Sequence, residues 1–362
     1  MRVVLTIILY VAILGFVVSL ANALPFADII RQILEIHLQA VVGVFVGYGL
    51  LHCMGAKKLI SAFTSVVLFS GFLAVLQGLH VPYAWEFRDF LQGMQTYDHD
   101  NVFLSERMRP MGISFTPVHL GTQILLAFAV CYIFMTCRRK TDEPLGRVNL
   151  PVVMVFVIVL LIAIISGNRS PILGMLAFLA AAAFFYSPVF SILGLMLFMP
   201  AAALLYIDSD AIFNFLSGTE IRAFRMSDKS SVARVVLRDY GWMLFMNRPF
   251  GYGLIFSSTD YVSLFWDQLA DYENSQTLWH TPTHNYYLNV LHKYGILIVL
   301  PGLLATRILL RNRVVLLGFL PYMVHIFFHN DGPLQGDFLI WYFVPMIAAS
   351  VSTKGNSSKY GA

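Results

Sequence analysis

Three arginines and one histidine carry the chemistry that stands out in this sequence. Arg234 and Arg238 are four residues apart, so on a helix they share one face. Arg169 lies in Ser-Gly-Asn-Arg-Ser, a short turn between two apolar runs. A guanidinium group can bind a phosphate or diphosphate through two parallel N–H donors. The spacing therefore indicates a site for an anion.

Each arginine also has a simpler interpretation, and the sequence leaves both open. An arginine at a membrane surface can extend its head group to water and merely mark the end of a helix. Residues 230–242 also fit a basic amphipathic helix on anionic headgroups, with Val235, Val236 and Trp242 toward lipid or protein. After this helix, Asn-Arg-Pro-Phe-Gly-Tyr-Gly predicts a turn at residues 247–253.

His284 is the candidate for proton transfer. It follows Thr283 at the start of an apolar run, and with Thr283 as the predicted N-cap it falls in the first helical turn. A helix N-terminus disfavours an imidazolium, so a neutral His284 could serve as a general base. A lone histidine more often has a structural role, and this alternative stays open. His292 and Lys293 lie deeper on the same predicted helix and could line the same cavity.

The remaining histidines, cysteines and carboxylates do not form the pattern of a metal site. His280, His325 and His329 have no distinguishing context, and no pair of histidines has the spacing of metal ligands. The three cysteines lie near predicted cytoplasmic helix ends rather than in an outer loop, which argues against a disulfide framework. We predict no metal ion and no cofactor.

The composition indicates that membrane helices position these groups. The chain has 362 residues, of which 58% are hydrophobic and 12% charged, and its mean hydropathy is +0.72. An average soluble domain is about 45–50% apolar and about 25% charged. The apolar runs are long and continuous rather than alternating, which is typical of spanning helices and not of barrel strands. The sequence therefore predicts an all-α integral membrane protein.

Hydropathy predicts about ten transmembrane helices, at residues 3–21, 36–54, 59–79, 114–136, 150–166, 171–186, 188–206, 284–306, 314–329 and 337–352. With this count, all the basic clusters between spans fall on one side of the membrane. Short loops rich in Lys and Arg usually face the cytoplasm, so we assign this side to the cytoplasm. Both termini are then cytoplasmic. Two long polar segments, residues 80–113 and 207–283, face outward, and the second forms a large outer loop domain.

No Asp or Glu falls in the middle of a predicted span, since Glu35 and Asp337 lie at span edges. Ion-coupled transporters usually carry such a carboxylate, because an intramembrane charge is costly and marks function. The charges gather on the outer side instead. This pattern disfavours a transporter.

The order of these elements resembles the O-antigen ligase and polymerase superfamily. The resemblance rests on the arginine helix at Arg234, the turn at residues 247–253, and His-Asn-Tyr-Tyr-Leu at residues 284–288 followed by Tyr294-Gly295. The turn that contains Arg169 resembles a further family element. The resemblance covers roughly residues 150–305. It divides the chain into N-terminal helices (1–149), a ligase- or polymerase-like core (150–306) and C-terminal helices with a tail (307–362).

The resemblance implies a metal-independent enzyme similar to the C-type membrane glycosyltransferases, in the bacterial inner membrane with its active site toward the periplasm. The donor would be a glycan on undecaprenyl diphosphate and the acceptor a glycan hydroxyl. Arg169 and Arg234 would hold the diphosphate, with Arg238, Arg222 and Arg225 as weaker candidates, and His284 would activate the acceptor. A copolymerase that sets chain length is an implied partner, and nucleic acid is not.

Several functions remain open within this frame. We expect a polymerase that links surface polysaccharide repeat units. The alternative is a ligase that transfers the finished O-antigen to lipid A–core, since both enzymes use the same donor. A flippase for lipid-linked glycans and a membrane scaffold are the competing classes, and the outward arginines and histidine favour the enzyme over both.

Overall fold

A computed structural model describes residues 2–79, 81–93, 110–137, 150–186, 229–335 and 338–357. Within these ranges the chain is helical, and the only β-type pairing is an isolated bridge between Gly332 and Gln335. The all-α prediction is therefore confirmed for the described residues. The described residues belong to two compact units, one built from Met1–Gly55, Met226–Leu316 and Ile326–Ala362, the other from Ala56–Arg225 and Leu317–His325.

The helices are numbered in chain order. The N-terminal half contains α1 (Arg2–Ala21), α2 (Phe26–Ile33), a π-helical turn (Leu34–Leu38), α3 (Gln39–Gly78), α4 (Pro82–Gly93), α5 (Pro117–Cys137), α6 (Leu150–Ile165) and α7 (Arg169–Tyr186). The C-terminal half contains α8 (Lys229–Asn247), α9 (Trp266–Leu269), α10 (Tyr286–Tyr294), α11 (Val299–Arg311), α12 (Arg313–Phe327) and α13 (Leu339–Ser357). Three short 3₁₀ segments, Ser258–Leu264, Ser275–Trp279 and Ile296–Ile298, complete the described elements.

Among the described residues, three helical runs are long and apolar enough to cross a membrane: Arg2–Ala21, Phe26–Gly78 and Pro117–Cys137. The pair Tyr286–Tyr294 and Ile296–Arg307 makes a fourth if the two helices count as one bent span. Four apolar helices are shorter than this limit: Leu150–Ile165, Arg169–Phe185, Arg313–Phe327 and Leu339–Ala349. The predicted span 188–206 lies outside the described residues, and the count of ten stays a prediction.

The helices differ in two places from straight helices that coincide with the predicted spans. The helical run that contains the predicted span 36–54 begins earlier, at Phe26, and the place of Glu35 at the edge of that span stays a prediction. The predicted span 284–306 is not straight, because its two helices meet at Gly295 with a bend of 117°. By contrast, the predicted break between residues 54 and 59 is confirmed at Gly55, whose φ of 74° interrupts the helix.

The first unit is built around the contact of α1 with the chain that follows α8. Val11, Leu14 and Val18 of α1 form a buried cluster with Leu254 and Tyr294. Gly15 allows this close approach, because a Cβ there would lie 2.8 Å from both the Leu254 and Tyr294 side chains. Close packing of this kind holds an apolar helix against its neighbours in a membrane protein, so this cluster anchors α1 to the rest of the first unit.

Polar contacts fix the same junction. Ser19 Oγ accepts a hydrogen bond from Leu254 N (2.9 Å). Asn22 Nδ2 donates to the Gly251 carbonyl (3.1 Å), and Asn22 Oδ1 accepts from Arg248 Nη1 (2.7 Å). The end of α1 therefore sets the position of the turn at residues 247–253.

The second unit packs α5, α6 and α7 around aromatic side chains. Phe128 and Tyr132 of α5 lie 4.9 and 5.1 Å from Phe178 of α7, centroid to centroid, in edge-on contact. Elsewhere in this unit, Gln77 of α3 positions residues 111–112, which precede α5. Gln77 Oε1 accepts hydrogen bonds from Met111 N and Gly112 N (both 2.9 Å). These contacts hold the helices that flank the Arg169 turn.

The bend at Gly295 leads to a stability prediction. Gly295 has a φ of 71° and a ψ of −175°, a region that only glycine occupies readily, and a Cβ there would meet the Phe250 backbone. We expect Gly295→Ala to destabilise the protein by about 1–3 kcal/mol, seen as a lower apparent Tm in detergent. Gly302→Ala is the matched control, because a Cβ at this helical position meets nothing within 4 Å. Equal Tm values for the two variants would contradict the strain assigned to Gly295.

Candidate functional site

The arginine helix α8 has one buried and one exposed face. Val236, Leu237, Tyr240 and Leu244 are buried and pack against residues of the following loop. Trp242, Val235 and Met246 are exposed. The sequence predicted that Val235, Val236 and Trp242 face lipid or protein, and of these three only Val236 is buried in the protein. Arg238 lies on the exposed face of this helix.

Arg238 is exposed over 60% of its side chain and is paired with its neighbour. Its Nε and Nη2 both lie 2.9 Å from Asp239 Oδ1. An exposed pair of this kind is worth about 0.2–1 kcal/mol, so a diphosphate could displace the carboxylate. The carboxylate still lowers the positive potential around Arg238. For Arg234 the structure describes the helical backbone, while its side chain lies outside the described residues, as do Arg222 and Arg225.

Helix α8 packs directly against the segment that carries His284. At Gly241 a Cβ would lie 3.1 Å from Leu288 Cδ1, 3.5 Å from Thr283 Cγ2 and 3.7 Å from His292 Cε1. His292 Nε2 donates to the Gly241 carbonyl (2.7 Å). Because a carbonyl oxygen only accepts, this bond places a proton on Nε2. His292 therefore joins the two helices and is buried in the packing.

A second set of contacts fixes the backbone just before His284. The hydroxyl of Tyr240 donates to the Ser258 carbonyl, and Ser258 Oγ accepts from Thr283 N (3.1 Å). Burial raises the pKa of the Tyr240 phenol above its usual value, so Tyr240 remains a neutral donor. Helix α8 thus fixes the backbone before His284, with Ser258 as the bridging residue.

The N-cap of α10 is Asn285, not Thr283 as the sequence predicted. Asn285 Oδ1 accepts from Leu288 N (3.2 Å), and the helix begins at Tyr286. Because the helix begins two residues later than predicted, Thr283 lies before the cap position, where its N–H donates to Ser258 Oγ. His284 therefore precedes the helix instead of lying in its first turn. It is partly exposed next to the helix N-terminus.

The imidazole of His284 has one nitrogen committed to the backbone. Nδ1 lies 2.8 Å from the Pro282 carbonyl. A carbonyl oxygen only accepts a hydrogen bond, so Nδ1 carries a proton. In the neutral ring, Nε2 then carries the lone pair. The local backbone selects the tautomer in which Nε2 can accept a proton.

Arg169 belongs to the second unit and is the first residue of α7. Its turn is rigid: Gly167 has a φ of 63°, and Asn168 Nδ2 donates to the Pro117 carbonyl (2.8 Å). Ser170 Oγ donates to Asn168 Oδ1 (3.2 Å) and lies 2.9 Å from His325 Nδ1. His325, which had no distinguishing context in the sequence, is buried and holds this turn.

The four predicted site residues thus fall into two groups. Arg234, Arg238 and His284 belong to the first unit, where α8 and α10 are packed together, and Arg169 belongs to the second. Within the described ranges, no group of three or more His, Cys, Asp or Glu residues could hold a metal ion. Among the predicted site residues, arginine offers pairing with an anion and histidine offers proton transfer.

The sequence did not single out three residues that shape the site. Asn289 Nδ2 donates to Gln335 Oε1 (3.0 Å), and the Tyr286 hydroxyl accepts from Leu334 N (3.0 Å), so residues 334–335 brace α10. Tyr240 braces the loop before it. Helical periodicity gave no signal for these contacts, because their partners are distant in sequence. The N-cap role of Asn285 could have been found, since Asn is among the most favoured N-cap residues.

One comparison identifies the group to which this chain is related. A family model described as O-antigen ligase matches residues 120–304, slightly more than half of the chain. The matched segment contains Arg169, Arg234, Arg238 and His284, and it begins at residue 120 rather than at the expected 150. No curated protein and no solved structure shows significant similarity to the chain. The resemblance inferred from the sequence is confirmed: this chain belongs to the O-antigen ligase family.

Proposed function

We propose that the protein is an inner-membrane glycosyltransferase that polymerises O-antigen or other surface polysaccharide repeat units at the periplasmic face. The observation that carries this proposal is the geometry of His284: its Nδ1 is bonded to the Pro282 carbonyl, and its segment is packed against the arginine helix. In a member of the O-antigen ligase family, a histidine that can accept a proton, on a segment packed against a helix that carries two arginines, supports glycan transfer.

The proposed reaction uses a repeat-unit glycan on undecaprenyl diphosphate as donor and a glycan hydroxyl as acceptor. Nε2 of His284 takes the proton of the acceptor hydroxyl, and the acceptor oxygen forms a bond to the anomeric carbon of the donor. The bond from that carbon to the diphosphate oxygen breaks, and the lipid diphosphate leaves. Arg169 and Arg234 balance the negative charge on the leaving group, with Arg238 as a further contributor.

The family gives specific support to a second candidate, because the matching family model is described as O-antigen ligase. A ligase would use the same donor and the same residues and would transfer the finished glycan to lipid A–core. The two reactions differ only in the acceptor. In both proposals the enzyme lies in the lipid bilayer with its termini in the cytoplasm. A polymerase would also require a copolymerase that regulates chain length.

The first prediction concerns the general base. Replacing His284 with alanine should lower the rate of glycan transfer by about 10²–10⁴, the usual contribution of a general base. Membrane abundance should not change, because among the described residues the imidazole bonds only to Pro282. His280→Ala is the matched control, since His280 is exposed in the same loop. Normal surface glycan from a normally abundant His284→Ala protein would exclude His284 as the base.

The second prediction separates the two arginines of α8. Arg234→Ala should abolish glycan elongation, since it removes a guanidinium assigned to the diphosphate. Arg238→Ala should lower the rate only severalfold, because Asp239 already offsets its charge. Both rates are measured with purified protein, lipid-linked donor and acceptor, after abundance has been matched. A larger loss from Arg238→Ala than from Arg234→Ala would reverse the two assignments.

The third prediction concerns metal ions. We expect transfer in detergent to persist in EDTA, because guanidinium groups would neutralise the leaving diphosphate. The measurement compares initial rates before and after chelation, followed by addition of Mg²⁺. A rate that falls with EDTA and recovers with Mg²⁺ would show that arginine alone does not hold the diphosphate.

A further inference from the structure

The first unit contains a cavity of about 360 Å³ that the proposed reaction does not use. It is open to solvent on one side, and its lining is rich in polar side chains. The lining residues come from the start of the second helical run, from the end of α10 and from the segment before α13: Gln32, Glu35, Ile36, Gln39, Lys293, Gln335 and Phe338. Pockets of about 300–1,000 Å³ are the usual size for small ligands.

Lys293 is the notable member of this lining. Only 9% of the residue is exposed, its side chain lines the cavity, and no hydrogen bond or ion pair joins its ammonium to another described residue. Lysine is almost never buried without a partner, because removing an ammonium from water is costly. Its backbone carbonyl accepts from Gly253 N (3.1 Å), so the residue is held in place. The unpaired ammonium therefore indicates a ligand that supplies the missing negative charge.

The other charged groups of the cavity are already satisfied. Glu35 Oε1 accepts from Arg31 Nε (2.8 Å), and Glu35 Oε2 accepts from Gln32 Nε2 (3.1 Å). With Arg31 balancing Glu35, Lys293 is the one positive charge in the described lining that has no counter-charge there. A single carboxylate would neutralise this charge, whereas a diphosphate would bring excess negative charge close to Glu35.

The amides of the lining suit a sugar ring. Gln335 Oε1 is occupied by Asn289, which leaves its NH₂ group for a ligand, and Gln32 keeps its carbonyl oxygen. Gln39 has both its donor and its acceptor available. Amide groups of this kind pair with hydroxyls that both donate and accept, and Phe338 adds an apolar surface.

The backbone around Glu35 is an independent sign of function. Residues Leu34–Leu38 form a π-helical turn between α2 and α3. Such turns are rare and often occur at functional sites. This one contains Glu35 and Ile36 and is followed at once by Gln39, so the irregular turn supplies one wall of the cavity.

We infer that this cavity binds a sugar residue bearing one carboxylate, with Lys293 paired to that carboxylate and the glutamine amides bonded to ring hydroxyls. The inference rests on the proposed function, because the ligand is a residue of the glycan that the enzyme handles. Lys293 follows His284 by nine residues, most of them helical, which corresponds to about 13 Å. The cavity would therefore hold a sugar other than the one that reacts and would select glycans that contain an acidic residue.

The test measures binding directly, on the full-length protein in nanodiscs. The probes are a galacturonic acid disaccharide, the matching galactose disaccharide and inorganic phosphate, each titrated by calorimetry or by saturation-transfer NMR. We expect the acidic disaccharide to bind at least tenfold more tightly than the neutral one. Lys293→Met should remove this difference while leaving the neutral disaccharide unchanged. Lys57→Met is the control, because Lys57 is exposed and does not line the cavity.

Each other outcome overturns the inference. Equal binding of the two disaccharides would show that Lys293 does not recognise a carboxylate. Phosphate that binds in a Lys293-dependent manner while the acidic disaccharide does not would assign the cavity to a phosphate or lipid headgroup. The His284→Ala protein should bind the acidic disaccharide normally, so a failure of catalysis and a failure of this inference remain distinguishable. Gln39→Leu should weaken the binding of both disaccharides, since the substitution removes an amide that pairs with hydroxyls.

Discussion

Backbone hydrogen bonds between the turn at residues 249–253 and the end of α10 are the constraint on which the first unit depends. Tyr252 N and Gly253 N donate to the carbonyls of His292 and Lys293, at 2.6 and 3.1 Å, and Ile296 N donates to the Pro249 carbonyl at 2.8 Å. The two segments approach so closely that Gly251, with a φ of 92°, has no room for a side chain. Because the turn follows α8 directly and is anchored by α1, these bonds fix the arginine helix, the histidine helix and the N-terminal helix relative to one another.

In each unit, hydrogen bonds fix the backbone that carries the predicted site residues. Arg238 is exposed and His284 is partly exposed, so a ligand can reach both side chains. His284 is held on one side by Ser258, through Thr283, and on the other by the Asn285 cap. The Arg169 turn has equivalent support from Asn168, Ser170 and His325. A preorganised site of this kind needs little reordering when charge develops on the leaving group.

The sequence predicted the local features and missed those that depend on distant contacts. The turn at residues 247–253 was predictable, because proline and paired glycines permit few other conformations. The bend at Gly295 was not predictable, since Tyr-Gly-Ile within an apolar run also fits a straight span. The bend depends on the contact of Gly295 and Ile296 with Phe250 and Pro249, which are distant in sequence. The N-cap was misplaced because Thr283 and Asn285 are both favoured cap residues, and only the structure shows that the helix begins at Tyr286. His292 and Lys293 were predicted to line the same cavity as His284. Instead His292 is buried against α8, and Lys293 lines a cavity with Gln32 and Gln39, which lie far away in the chain.

The central claim, that this family member polymerises repeat units, is tested most directly by the gel profile of lipopolysaccharide from a strain that lacks the protein. The proposal predicts core that carries a single repeat unit, with the ladder of longer chains absent and restored by the wild-type protein. Bare core together with accumulated lipid-linked polymer would contradict polymerisation and assign the ligase reaction instead. An unchanged ladder would contradict both.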